Sequence, residues 1–255
     1  MLHRAEELEG FTIHAEDGEL GKIEDVYFDD AKWTIRYFIV RTGSWLFGKE
    51  VLLSPLSMEK IEWHAHEVRM ALTMEEVENS PAVETKKPVS KHEEAQFVSY
   101  FGHPVYWGGA SLWGSALYPA AIFAEPRSEA SRELEEMKKQ HDHHLRSVRE
   151  VRNYRLDTMD DEIGRVTDFI FDDETLAVRY MEVKTGKILG GRQLLISPSW
   201  IEQVNWAEGT VGVDMRTEIV ENAPAYDPSE PIDREYENKL FEYYGRAKYW
   251  LNTKL

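Results

Sequence analysis

The chain has 255 residues, of which 42% are hydrophobic and 30% are charged, and its formal net charge is −17. This composition is that of an ordinary globular protein, and the strong negative charge disfavours binding to nucleic acid or anionic lipid, which depends on Lys and Arg at phosphates. The absence of cysteine excludes disulfides, thiolate catalysis, iron–sulfur clusters and Cys-ligated zinc. Together with a first segment that lacks the apolar core of a secretory signal, this predicts a cytoplasmic protein.

The first third of the chain predicts about six short strands separated by turns. Asp17-Gly18 marks the first turn and Asp29-Asp30 the next, each between runs rich in β-branched and aromatic residues. Ser54-Pro55 marks a break, because proline cannot donate to a strand ladder. The predicted strands are 10–13, 21–28, 34–41, 51–53, 58–63 and 67–72. Short strands with regular turns are typical of a small closed or nearly closed barrel, which removes exposed strand edges.

A helix is predicted to follow the strands. Ser90 and Glu93 have the spacing of a capping box, and the helical pattern runs to Phe101, before Gly102 as a left-handed cap. Next comes an uncharged segment rich in glycine and aromatic residues, 108–124, and then a predicted charged helix over about 127–148.

The second part of the chain repeats the first at a constant offset of 143 residues. Gly21 recurs as Gly164, Arg36-Tyr37 as Arg179-Tyr180, and Tyr106-Trp107 as Tyr249-Trp250. A period this long indicates two domain-sized copies rather than a solenoid. The copy predicts strands at 163–171, 177–184, 194–196, 201–206 and 211–215, and a helix at 233–244. The fold class is therefore mainly β: two small barrels, each followed by a short helix, at 1–107 and 149–255, with a linker at 108–148.

The repeated motifs resemble the PRC-barrel family. In the first copy they are L-G-K-I-E-D-V-Y-F-D-D, R-Y-F-I-V-R-T-G, L-L-S-P and E-N-S-P; the second copy has I-G-R-V-T-D-F-I-F-D-D, R-Y-M-E-V-K-T-G, L-I-S-P and E-N-A-P. The resemblance covers roughly 8–83 and 151–226. The family includes the cytoplasmic domain of the photosynthetic reaction-centre H subunit and the C-terminal domain of the ribosome maturation factor. The resemblance implies a small β-barrel that docks on other macromolecules, without family-wide catalytic residues.

The acidic residues retained in both copies allow two interpretations. Oxygen-rich clusters can hold calcium or magnesium, but paired Asp residues after a strand are more typical of turn capping. Arg36 and Arg179 are natural ion-pair partners for these carboxylates. The acidic set is Asp25, Asp29, Asp30, Asp168, Asp172 and Asp173. We predict a structural role and no metal.

The histidines are confined to the stretch from His3 to His144, so a histidine-dependent site common to both copies is excluded. His141, His143 and His144 have a spacing that can bind a transition metal, although a solvated helix end is the commoner explanation. Nucleophilic catalysis has little support, because Ser54 and Ser197 each precede proline without a retained base. No G-x-S-x-G elbow occurs, and the glycines of 186–192 lack Walker and Rossmann spacing. The chain is predicted not to be an enzyme and to use no cofactor.

The uncharged stretch 104–124 is the most unusual segment. Its glycines, prolines and serines dilute it too much for a spanning helix. Packing between the two barrels is the favoured interpretation, and shallow membrane contact and an exposed partner surface remain alternatives, since aromatic, uncharged patches are typical of interface cores. The candidate partner-binding residues are Trp107, Trp113, Tyr118 and Phe123.

These observations predict a non-enzymatic, cytoplasmic tandem PRC-barrel protein that acts as a protein docking or scaffold module and does not bind nucleic acid. Two alternatives stay open: a small-ligand or metal-binding module, and a peripheral component of a membrane complex of the photosynthetic electron-transport type.

Overall fold

The computed structural model describes residues 1–81, 89–107, 109–124, 144–186 and 191–251. The chain divides into two compact units. Unit 1 comprises Met1, His3–Glu150 and Phe171–Val178; unit 2 comprises Leu2, Val151–Ile170 and Arg179–Leu255.

Unit 1 is built on a seven-stranded sheet. After a short first strand, β1 (Leu2–Arg4), its strands are β2 (Thr12–His14), β3 (Glu19–Asp29), β4 (Thr34–Thr42), β5 (Glu50–Leu53), β6 (Met58–Glu62), β7 (Glu67–Met70) and β8 (Leu145–Ser147). The order is β5-β4-β3-β2-β7-β6, with β8 beside β3. The pairs are antiparallel except β2 with β7. Among the described residues no ladder joins β5 to β6, so hydrogen bonding does not close the predicted barrel.

Burial along β3 and β4 explains why these strands are the longest of unit 1. Every residue of β4 except Arg41 is buried, as expected for the run of β-branched and aromatic residues that forms it. In β3, irregular register near residues 23–25 and 27–28 lets the strand bend. Tyr27 and Tyr37 both join one core cluster, which also contains Phe97 and Leu145.

Unit 2 repeats the arrangement. Its strands are β9 (Arg155–Asp157), β10 (Glu162–Asp172), β11 (Val178–Thr185), β12 (Gln193–Ile196), β13 (Ile201–Asn205) and β14 (Thr210–Val213). The order is β12-β11-β10-β9-β14-β13, and β1 is the seventh strand of this sheet, beside β10. The equivalent strands thus occupy the same places in both sheets, which confirms the predicted mainly β fold with two copies of one module.

The two longest helices begin and end where the sequence predicts. They are α1 (Met74–Glu78), α2 (Lys91–Phe101), α3 (Val148–Val151), α4 (Thr217–Glu221) and α5 (Arg234–Tyr244). Ser90 caps α2 through the predicted capping box, and Gly102 and Gly245 follow α2 and α5 in left-handed conformation. The short helices α1, α3 and α4 were not predicted.

A charged helix is predicted over about 127–148, and its residues up to position 143 lie outside the described part of the chain. Its described end is different from the prediction, because Leu145–Ser147 forms strand β8. The reason is non-local: β8 pairs with β3, whose residues lie more than a hundred positions earlier.

Candidate functional site

A buried carboxylate connects helix α2 to the sheet of unit 1. Glu94 is fully buried and lies on the same face of α2 as Phe97 and Val98, because residues three and four apart share a helix face. Its Oε1 accepts hydrogen bonds from the hydroxyl of Tyr37, at 2.8 Å, and from that of Tyr106. Its Oε2 lies 3.0 Å from Nε2 of His144. We call these four residues the carboxylate cluster of unit 1.

The electrostatics of the carboxylate cluster keep Glu94 ionised and the two tyrosines protonated. Burial raises the pKa of Glu94. The hydrogen bond and charge of His144, together with the two tyrosine hydroxyls, lower it by more than burial raises it, so the net pKa is below its ordinary value. Burial and the Glu94 charge raise the pKa of Tyr37 and of Tyr106 well above the usual range. The hydroxyls are therefore permanent donors to a permanent acceptor at neutral pH.

Unit 2 repeats the carboxylate and the two tyrosines of this cluster at the same offset. Glu237 on α5 is buried and accepts hydrogen bonds from Tyr180 and Tyr249, each at 2.7 Å. The cation beside Oε2 of Glu237 is Arg234, at 2.8 Å, whereas the one beside Oε2 of Glu94 is His144. A pair of tyrosines holding one carboxylate is thus part of the fold, and it fastens each helix to its sheet. The sequence analysis missed it, although the signal was present, since Glu94 and Glu237 are also 143 positions apart.

Arg36 forms a second buried group in unit 1. The guanidinium has no exposure, and its Nε donates to Asp29 at 2.5 Å. It lies 3.9 Å from the ring centroid of Tyr106 and 4.4 Å from that of Trp113, in cation–π geometry with both. The predicted ion pair of Arg36 with a retained aspartate is confirmed. In unit 2, Arg179 lies 4.3 Å from the ring centroid of Tyr249.

The retained aspartates make local structural contacts. Asp25 accepts from the backbone of Val26 at 2.8 Å, and Asp172 caps its turn by accepting from the backbone and hydroxyl of Thr175, each at 2.8 Å. Asp30 pairs with Arg146 at 2.8 Å. Within the described residues, no group of three or more His, Asp or Glu side chains is arranged to hold a metal ion.

Of the three histidines proposed as a metal-binding set, His141 and His143 lie outside the described residues. His144 is 9% exposed and faces Glu94, so the interpretation of a solvated histidine is wrong for this residue.

The structure separates the four predicted partner-binding residues. Trp113 is fully buried, and its Nε1 donates to the carbonyl of Thr175 at 2.9 Å. Trp107 is half-buried. Tyr118 is 47% exposed and directly precedes the short 3₁₀ helix Pro119–Ala124. Phe123, within that helix, is 44% exposed. We call residues 109–124 the uncharged segment; it presents Tyr118 and Phe123 to solvent and anchors itself through Trp113.

Each unit also has an open surface cleft. The cleft of unit 2 has a volume of about 900 Å³, and its lining includes two acidic residues, Asp161 and Glu162, and two basic ones, Arg165 and Lys184. That of unit 1 is about 620 Å³, and the Trp63 ring in its wall is already covered by a stacked imidazole, His3, at 3.5 Å. Neither lining favours a particular class of ligand, so ligand binding stays a prediction.

The fold and its buried clusters define a tandem protein made of two copies of one small β module, each fastened to a helix through a tyrosine-bound carboxylate. A model described as "PRC-barrel domain" matches residues 2–65 and 146–218, which together are more than half of the chain. The chain belongs to the PRC-barrel domain family. No curated protein matches it significantly. No helix in the described part of the chain is long and apolar enough to cross a membrane.

Proposed function

We propose that this protein is a non-enzymatic docking module that binds a protein partner through the exposed face of the uncharged segment. The observation that carries the proposal is the exposure of Tyr118 and Phe123 on a segment with no ionisable side chain except the tyrosine hydroxyl, in a chain of net charge −17.

The energetic argument rests on apolar area left in water. Burying a large apolar side chain contributes about 1.5–3 kcal/mol, and aromatic residues at the centre of an interface account for much of its binding energy. Tyr118 and Phe123 keep nearly half of their surface exposed while the neighbouring Ile122 is buried. A partner with a neutral, apolar groove recovers this energy. The segment itself offers a phosphate-bearing partner no Lys or Arg side chain.

The segment is also held in place before any partner binds. Lys32 donates to the carbonyls of Gly109, at 3.1 Å, and of Ser111, and Arg36 donates to the carbonyl of Leu112 at 2.7 Å. A surface that is already ordered loses less conformational entropy on binding, and this favours specific docking.

The test compares two matched variants of the full chain. Tyr118→Ser combined with Phe123→Ser removes both exposed rings, and Phe47→Ser removes another aromatic side chain of unit 1, one that is 89% exposed. Partners captured from native cells are quantified by mass spectrometry, and each one that depends on Tyr118 and Phe123 is purified and titrated. We expect the double variant to weaken binding at least about tenfold, which is 1.4 kcal/mol, while Phe47→Ser binds as wild type.

Two results would contradict the proposal. Equal binding by wild type and double variant would show that the uncharged segment is not the docking surface. Co-sedimentation with phosphatidylcholine vesicles that the double variant alone loses would assign the same surface to a membrane instead.

A further inference from the structure

The carboxylate cluster of unit 1 lies where four parts of the chain meet. Glu94 comes from α2, Tyr37 from β4, and His144 directly precedes β8. Tyr106 lies three positions before the uncharged segment and packs against Trp113 of that segment, with ring centroids 5.8 Å apart. The contacts of Glu94 therefore help to hold the start of the segment that carries the proposed docking surface.

The two units differ in the cation that neutralises the buried carboxylate. In unit 2 it is Arg234, which is charged at every physiological pH. In unit 1 it is His144, and histidine is the side chain that ordinarily changes its charge between pH 5 and 8. The tyrosine contacts are the same in both units, but at the 143-residue offset Arg234 corresponds to Lys91 and not to His144, so the buried imidazole beside the carboxylate is a feature of unit 1.

We propose that protonation of His144 regulates the uncharged segment, holding it firmly when the imidazole is charged and loosening it when the imidazole is neutral. The effect on partner binding rests on the proposed function; the effect on the segment itself does not.

The physical reason is the cost of a buried charge without a counter-charge. Burial raises the pKa of Glu94, and the hydrogen bond and charge of His144 are the largest causes that lower it, so the ionised carboxylate depends on the charged imidazole. When His144 loses its proton, neutral donors alone surround a fully buried carboxylate, and such a charge is costly in an apolar interior. Opening the contact between Tyr106 and Glu94 admits water and relieves this cost.

The other charged groups around His144 do not replace it. The backbone N–H of Asp30 donates to the His144 carbonyl at 3.0 Å, while the Asp30 carboxylate pairs with Arg146. Asp29 pairs with Arg36. These cations are engaged with their own carboxylates, so His144 is the cation within ion-pair distance of Glu94 among the described residues.

Hydrogen exchange of the full chain between pH 5.5 and 8, corrected for intrinsic rates, tests the proposal without any partner. We expect opening of residues 104–107 and 109–116 to increase with pH on the order of tenfold. His144→Gln removes the titrating group and should abolish this dependence. His92→Gln is the matched control, because His92 lies on α2 and contacts Gln96 rather than Glu94.

Protection of these peptides in wild type that does not change with pH would overturn the proposal, and this result needs no variant to fold. A pH dependence that persists in His144→Gln, or that disappears in His92→Gln, would overturn it as well. Once a partner is identified, affinity for wild type should be about tenfold weaker at pH 8 than at pH 6. Equal affinities, with the exchange result intact, would refute the effect on docking and leave the proposed function standing.

Discussion

Replacing Gly21 or Gly164 by alanine should destabilise the protein. At both sites a Cβ would clash with the backbone of the neighbouring strand, and at Gly21 the φ angle adds strain. A Cβ on Gly21 would lie 2.0 Å from the carbonyl oxygen of Arg41, and one on Gly164 would lie 2.2 Å from that of Lys184. Both obstacles are backbone atoms of the neighbouring strand, so no side-chain rotation relieves them. The two glycines differ in backbone conformation, because Gly21 has a positive φ of +151° and Gly164 does not have a positive φ.

The steric clash and the backbone strain can be measured separately with two further glycines. Gly10 has φ +84° and open space around its Cβ position, and Gly186 has open space without a left-handed φ. Overpacking of this kind costs about 1–3 kcal/mol, and a strained φ about 1–3 kcal/mol. We therefore expect about 3–4 kcal/mol for Gly21→Ala, about 2–3 for Gly164→Ala, about 1 for Gly10→Ala and nearly none for Gly186→Ala.

Guanidinium unfolding of the four full-length variants, followed by tryptophan fluorescence and circular dichroism, measures these differences in the free energy of unfolding. Thermal melting provides a second measure, at about 2–4 °C per kcal/mol for unit 1 and about 4–8 °C per kcal/mol for the smaller unit 2. Equal stability of Gly164→Ala and Gly186→Ala would refute the steric argument. Equal losses for Gly10→Ala and Gly21→Ala would show that φ alone accounts for the first copy.

Three other predictions concern unit 1. Trp113→Ala should destabilise unit 1 by about 3–5 kcal/mol, because the substitution removes a fully buried ring and one of the two cation–π contacts of Arg36. Chemical denaturation measures this loss, and a variant as stable as wild type would contradict the prediction. Burial lowers the pKa of His103 from 6.5 to about 4, so the folded state binds fewer protons than the unfolded state in this pH range. The free energy of unfolding should therefore fall as pH falls from about 6.5 to 4. Unfolding curves measured across this range should show a shallower fall for His103→Gln. Ser90→Ala should lower the free energy of unfolding by about 1 kcal/mol, because it removes the N-cap of α2. Ser99→Ala, on the exposed face of α2, should lower it by less than about 0.5 kcal/mol in the same assay. Equal losses would refute the capping argument.

The local elements were predictable because their signals are carried by neighbouring residues. The capping box at Ser90 needs only Glu93, and the left-handed caps at Gly102 and Gly245 need only the conformational freedom of glycine. The same holds for most strands, whose turns and β-branched runs recur at one offset. β8 was missed because a three-residue strand has almost no signal of its own and exists through pairing with β3.

The division of the four candidate aromatic residues was not predictable from composition. Trp113 and Phe123 lie in the same uncharged segment and are equally apolar in the sequence, yet one is fully buried and the other 44% exposed. The difference comes from partners that lie far away in the chain: the Arg36 guanidinium and the Thr175 carbonyl are both available to Trp113.

The sequence by itself determined the duplication, the mainly β class, the helix caps and the resemblance to the PRC-barrel family, since a constant offset of 143 and short-range turn chemistry need no knowledge of contacts. The tertiary structure alone decided that Glu94 and Glu237 are buried between tyrosines, and that the cation beside the carboxylate is His144 in unit 1 and Arg234 in unit 2. The physical reason is that the energy of a buried charge depends on which groups surround it in space, and those groups are brought together by strands and helices that are distant along the chain.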